Sequence, residues 1–225
     1  MRNPVGRVIL KSKKKRTQSS RDWLLRQLND PFVRKAKQEG YRSRAAFKFI
    51  EIDEKYKILK SGQTVIDLGA APGGWTQVIA DKVSHKGKVI ALDLQDIDPF
   101  SNPNVLIIKG DFEDEAIQQQ LSQHIELADV IVSDMAAAAC GIPAVDHIRI
   151  FNLLEASLNF SINHLAKNGS FIAKVLRGGT EGELLKQLKV HFSKVVHFKP
   201  DSSRQDSAEM YVVAKGFKGK KTPPQ

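Results

Sequence analysis

Apolar positions along this chain follow two periods that alternate from residue 64 onward. Short β-branched runs at 64–67, 88–93, 105–109, 129–134, 170–175, 195–198 and 209–214 read as strands. Between them, stretches at 74–83, 114–124, 145–165 and 181–191 have helical spacing. Alternation of this kind predicts an α/β fold built on a seven-stranded, mainly parallel sheet with helices on both faces. Ahead of the sheet, Ser20 is placed to cap a helix carrying Trp23 and Leu28. Pro31 opens a second short helix that runs through Lys37 and closes at Gly40. Ser43 is expected to cap a third, in which Phe47, Ile50 and Tyr56 share the inner face.

The sharpest change of period lies at Thr64-Val65-Ile66-Asp67-Leu68-Gly69-Ala70-Ala71-Pro72-Gly73-Gly74-Trp75, where a strand gives way to a small-residue loop and then a helix. This is the pattern of the first βα turn of a nucleotide-binding sheet. Glycines there let a ligand touch the backbone, and free N–H groups at the helix start favour electron-rich ligand atoms. The dinucleotide fingerprint G-x-G-x-x-G is broken by Ala71, which favours a nucleoside over a pyrophosphate and disfavours a nicotinamide oxidoreductase. Asp93 ends the second strand about 20 residues beyond the glycines, the position from which a carboxylate accepts ribose hydroxyls. Asp111 follows the third strand and is either a turn former or a reader of an adenine edge. Trp75 is either core or a contact at the crevice. Asp134 ends the fourth strand, where open α/β sheets place their chemistry. Lys174 interrupts an apolar strand, and burying a lone ammonium costs several kcal/mol. It must pair with a carboxylate or give up its proton.

Charge adds a partner. Residues 1–60 hold 18 Lys and Arg against 6 Asp and Glu, a net +12, whereas 61–225 hold 17 against 19, a net −2. A polyanion suits this asymmetry, because each neutralised phosphate releases counterions; a merely solvated basic face is the alternative. The chain divides into a basic flexible arm (1–20), a basic helical extension (21–60), the catalytic domain (61–215) and a basic tail (216–225). Lys13, Lys14, Lys15 and Arg16 in the arm, with Arg42 and Arg44 in the extension, are the candidate phosphate contacts. Lys48 sits in the first turn of the third helix, where a cation opposes the dipole unless an anion faces it. Cys140 is the only cysteine, so no disulfide or cysteine-based zinc site forms within the chain, and no metal is expected. It is expected to be a small packed residue, and His147 a structural one. No apolar run of membrane length and no signal-peptide core occurs, which predicts a soluble intracellular protein, cytoplasmic with a mitochondrial location as the alternative; a monomer is expected.

The segment Asp67 to Trp75 resembles the S-adenosylmethionine loop of the FtsJ/RrmJ family of ribose 2′-O-methyltransferases. Ser43-Arg44-Ala45-Ala46-Phe47-Lys48, Ser133-Asp134-Met135-Ala136, Phe171-Ile172-Ala173-Lys174-Val175 and Pro200 through Glu209 resemble further motifs of that family, in the same order, over residues 20 to 215. The resemblance implies a Rossmann-like methyltransferase fold and S-adenosyl-L-methionine as methyl donor. It implies a Lys48-Asp134-Lys174-Glu209 catalytic tetrad, with Gly73, Trp75, Asp93, Asp111 and Asp134 around the cofactor. Relatives of this compact kind imply a uridine of large-subunit ribosomal RNA as target, met in an assembling subunit. Cap-directed 2′-O-methylation and a non-catalytic ribosome-assembly role are the alternatives; no cap-stacking aromatic pair stands out, and the tetrad is intact. The run Ala136 to Ala139 departs from the family's usual stretch after Ser-Asp-Met-Ala.

Overall fold

The structure, a computed structural model, describes residues 18–136, 140–177, 181–205 and 207–219. Three helices come first: α1 (Gln18–Asn29), α2 (Pro31–Glu39) and α3 (Ala45–Tyr56). They lead into β1 (Thr64–Leu68), α4 (Gly74–Val83), β2 (Lys88–Asp93), β3 (Val105–Lys109), α5 (Glu115–Ser122) and β4 (Ala128–Ser133). The chain continues through α6 (Pro143–His164), β5 (Leu165–Leu176), α7 (Glu181–His191), β6 (Phe192–Phe198) and β7 (Glu209–Phe217).

The strands form one sheet in the order β3-β2-β1-β4-β5-β7-β6. All neighbours pair in parallel except β7, which runs against both β5 and β6. Successive side chains on a strand point to opposite faces, so each strand feeds two cores. Ile66 and Leu68 pack with Leu121, Leu154, Leu158, Leu184 and Leu188 beneath α5, α6 and α7. Val65 packs with Phe49, Ile52, Val78 and Ile79 beneath α3 and α4. The reversed direction of β7 has a functional result. Its first residue lies beside Leu176, so a strand start and a strand end meet at the same edge of the sheet.

Element boundaries depart from the sequence reading where local geometry overrides pattern. α1 begins at Gln18, so Ser20 lies inside the helix rather than capping it. Ser43 does not cap α3 either, whose N-cap is Arg44 in helical conformation with no side-chain cap. Ser43 Oγ is buried without a partner, pressed against Gly74, where any Cβ would collide with it. Asp30 does cap α2, its side chain accepting from Phe32 N, and Gly40 ends that helix in the left-handed region at φ 77. β5 starts at Leu165 and bulges against β4 between Ala128 and Val130; Asn168, at φ 68, takes up the bend. β7 extends to Phe217, whose ring is buried, so part of the expected tail is sheet. The Lys13 to Arg16 block and Ala137 to Ala139 lie outside the described residues.

Candidate active site

Two arms of the sheet meet at the carboxyl ends of β1, β4 and β5. On one side, the loop after β1 turns through Gly69 and Gly73, both at positive φ, and opens a crevice of about 440 Å³. Gly69, Ala71, Asp93, Asp111, Phe112, Asp134 and Met135 are among its lining residues. Volumes of this order hold a small organic ligand. Gly69 is needed because any side chain there would strike Met135. Asp93 uses one oxygen to accept from Ala71 N at 2.8 Å and the other to accept from Gln95 N at 2.8 Å. That clamp fixes the carboxylate in the crevice wall while leaving lone pairs for a ligand hydroxyl. Asp111 accepts from Glu113 N at 3.0 Å, so the expected turn former is also a pocket wall.

Gly73 caps α4 at φ 106, and a Cβ there would lie 2.6 Å from the Phe100 ring and 3.0 Å from the Arg42 guanidinium. Arg42 explains the crowding. It donates to Pro72 O, to Asp98 O and to Pro99 O, at 3.3, 2.6 and 2.6 Å, and stacks on Phe100 at 3.6 Å. Arg42, a candidate phosphate contact, thus uses these donors to hold the loop after β1 against the 98–100 loop. Arg44, the other candidate phosphate contact of the extension, also has internal partners. It pairs with Asp30 and donates to Ser202 O, an arrangement that also holds Arg204 within 3.6 Å of Asp30. Trp75 is core: its ring packs 4.8 Å from Phe49 and 5.5 Å from Tyr211, and Nε1 donates to Ala45 O. Its side chain is absent from the crevice wall, which leaves the backbone N–H groups at the α4 start as that segment's means of reaching a ligand. Cys140, expected to be packed, is exposed, and its N–H donates to Asp146. His147 lines a small apolar cavity between α6, α7 and the sheet.

On the other side of Asp134, side chains far apart in sequence converge. Lys174 Nζ lies 2.8 Å from Asp134 Oδ1, donates to the Asp134 carbonyl at 2.8 Å, and stands 3.8 Å from Glu209 Oε2. Lys48 Nζ lies 2.6 Å from Glu209 Oε1. That carboxylate answers the misplaced cation at the α3 start. Lys174 is 9% exposed, and both carboxylates lie within 3.8 Å of its nitrogen. The two lysines face each other across two carboxylates, an alternation of charge that leaves no buried ion alone.

Sequence reasoning missed the residue that ties the carboxylates together. Tyr211 is fully buried, and its hydroxyl lies 2.6 Å from Asp134 Oδ1 and 3.3 Å from Glu209 Oε1. Burial first, then the two carboxylates, push its pKa well above the ordinary value. It stays protonated and acts as a fixed donor. The signal was present: Glu209 and Tyr211 are two apart on a strand and share a face. Ser203 Oγ adds a donor to Glu209 Oε1 at 3.2 Å. Glu51 holds that loop in place by accepting from the Asp201 and Ser202 N–H groups. For Asp134, burial pulls its pKa upward. Lys174 and Lys48, with hydrogen bonds from Lys174 and Tyr211, outweigh it and hold the carboxyl below the usual range. Asp67 behaves oppositely. It is 1% exposed, accepts from Thr76 Oγ1 with one oxygen and has no partner for the other. Burial, then the neighbouring Asp134 and Asp93, raise it to about 7 against the Thr76 hydrogen bond.

The crevice thus shares one wall, Asp134, with a lysine–carboxylate cluster. Among the described residues no group of His, Cys, Asp and Glu is arranged to hold a metal. No described helix is long and apolar enough to cross a membrane. Comparison with known proteins agrees with this arrangement. The ribosomal RNA large subunit methyltransferase E of Parvibaculum lavamentivorans is 50% identical, the alignment covering 97% of this chain and 89% of that protein. The protein of the same name from Acidiphilium cryptum is 49% identical over 94% and 92%. Among solved structures, a ribosomal RNA methyltransferase from Plasmodium falciparum superposes with a TM-score of 0.71 at 32% identity, covering 80% of this chain and all of that one. The family described as FtsJ-like methyltransferase matches residues 41–217, which take in both the crevice and the cluster. The chain therefore belongs to the FtsJ-like methyltransferases.

Proposed function

We propose that this methyltransferase transfers the methyl group of S-adenosyl-L-methionine to the 2′-oxygen of a ribose, a uridine, in large-subunit ribosomal RNA. One observation carries the reading: Lys48, Asp134, Lys174 and Glu209 gather at the edge of a nucleoside-sized crevice. The crevice suits the cofactor on its own geometry. Asp93 faces it where ribose hydroxyls need an acceptor, Asp111 where an amine needs one, and Gly69 and Gly73 keep the loop thin. When bound there, the sulfonium supplies an activated methyl carbon.

The chain's own residues have two tasks. Lys48 and Glu209 hold the target ribose so that its 2′-oxygen points at the methyl carbon. Lys174, steered by Asp134 Oδ1 and the Asp134 carbonyl, is the group placed to take the hydroxyl proton as the oxygen–carbon bond forms and the carbon–sulfur bond breaks. Alignment of this kind supplies about 7–11 kcal/mol, against roughly 3–5 kcal/mol for a positioned base. Positioning is therefore the larger contribution. The relatives named for ribosomal RNA support the substrate class, and the basic N-terminal quarter supports a polyanion.

The test is direct. Large ribosomal subunits lacking the modification are incubated with the protein and methyl-labelled cofactor, and the modified nucleotide is mapped. Label on a single ribose 2′-oxygen is expected; label on a base, or none, overturns the assignment.

A further inference from the structure

A group of exposed lysines lies at the end of the sheet away from the tetrad. The parallel strands begin at that end. Lys57 and Lys60 lie in the connection entering β1, Lys82 ends α4, and Lys86 precedes β2. Lys194, near the start of β6, is the register partner of Lys215 near the end of β7. Contacts knit these positions into one surface. Lys215 Nζ donates to Tyr56 O beside Lys57, and Ser61 Oγ meets Ser84 Oγ at 2.7 Å, joining the loops that carry Lys60 and Lys86.

Little on this face offsets the charge. Asp53 is buried, accepts from Ile58 and Leu59 N, and pairs with Lys82 at 3.5 Å. Asp129 accepts from Thr64 N. Glu54, Asp81 and Glu126 are exposed carboxylates near the strand starts, Asp81 accepting from Asn102 at 3.1 Å, and Lys57, Lys60, Lys86 and Lys194 have no acidic partner among the described residues. Like charges left facing one another weaken the fold unless an external anion neutralises them. The same face carries a hollow of about 380 Å³ lined by His85, Gly87, Lys88, Pro103, Asn104, Val105 and Leu106. It offers no Phe, Tyr or Trp on which a base could stack, so the fit is to phosphates rather than bases.

We infer that this end of the sheet is a second RNA-docking face, gripping the phosphate backbone of a segment distinct from the one that enters the active site. β1 alone separates the two ends by about 16 Å, at roughly 3.3 Å per residue, so the nucleotide being modified cannot touch both. The inference rests on RNA being the substrate. It adds that recognition spans two segments of a folded RNA, which a short single strand carrying only the target cannot supply.

The experiment replaces Lys57, Lys60, Lys86 and Lys194 together by Glu in the full chain, with a Gln version as the milder variant. Lys88 and Lys215 are left alone because they donate to internal carbonyls. Binding to protein-free large-subunit RNA is read across salt, beside KM and kcat on subunits and the cofactor Kd. With each phosphate contact contributing about 0.7–0.9 to the slope of log K against log salt, the slope should fall by about 3. KM should rise at least tenfold, with kcat and cofactor Kd unchanged. Unchanged slope and KM in both variants overturn the proposal. So does weakened binding to subunits alone with binding to protein-free RNA intact, which would assign the face to an acidic protein. Methyl transfer to subunits by the unsubstituted protein is a separate readout, so failure of the substrate reading is told apart from failure of this one.

Discussion

Lys174 and Asp67 show how burial acts on two charges in opposite ways. Lys174 has Asp134 on both sides, through the side chain and the carbonyl. Lys174→Ala is expected to lower methyl transfer by about 10²–10⁴-fold, the range of a positioned base, with cofactor affinity within a factor of two. Single-turnover transfer and calorimetry check this; near-normal turnover removes Lys174 from the base role. Asp67 lacks that compensation, and its raised pKa makes a statement about stability. Between about pH 4 and pH 7 the unfolded chain has lost this proton and the folded one keeps it, so stability falls as pH rises across that window. The loss is of the order of a few kcal/mol. Asp67→Asn, which keeps the shape and carries no titrating proton, should flatten that part of the melting-temperature profile. A profile parallel to that of the unsubstituted protein would show that Asp67 titrates normally. The pairing of Lys174 was legible in sequence, because a lysine inside an apolar strand has few outcomes. Asp67 was not, since nothing local says which of its oxygens finds a donor.

Elements explain why the remaining positions were harder to read. Strand and helix identities followed from period alone, and Asp134 and Lys174 fell on the carboxyl edge because parallel strands place their ends together. The antiparallel β7 brings Glu209 to that edge by its start instead. What pattern could not show is the tertiary fate of a polar side chain. Arg42 and Arg44 look like free cations in a basic extension, yet their donors reach carbonyls 30 and 158 residues away. Trp75 begins a helix at the crevice, yet its ring turns into the core between Phe49 and Tyr211. At this scale Arg42→Ala should weaken cofactor binding about tenfold by freeing the 72 and 98–99 carbonyls. The salt slope for RNA should not change. A changed slope with unchanged cofactor affinity would return Arg42 to the RNA. Gly73→Ala places a side chain at φ 106 against Phe100 and should destabilise the protein by about 1–3 kcal/mol, read as a lower unfolding midpoint.

For the molecule as a whole, the net +12 of the first 60 residues is the feature that composition alone made visible. Neutralising Lys13, Lys14, Lys15 and Arg16 should weaken RNA binding in a salt-dependent way and leave cofactor affinity unchanged; unchanged RNA affinity would show that the arm is idle. The extension that follows the arm is not an appendage. Gln77 accepts from Arg42 N and donates to Gly40 O, and Arg42 reaches from there to the carbonyls of Pro72, Asp98 and Pro99. The extension is thereby fastened to the loop after β1 and to the 98–100 loop. One guanidinium makes the join, so a change on the extension that moves Arg42 should be felt in both loops.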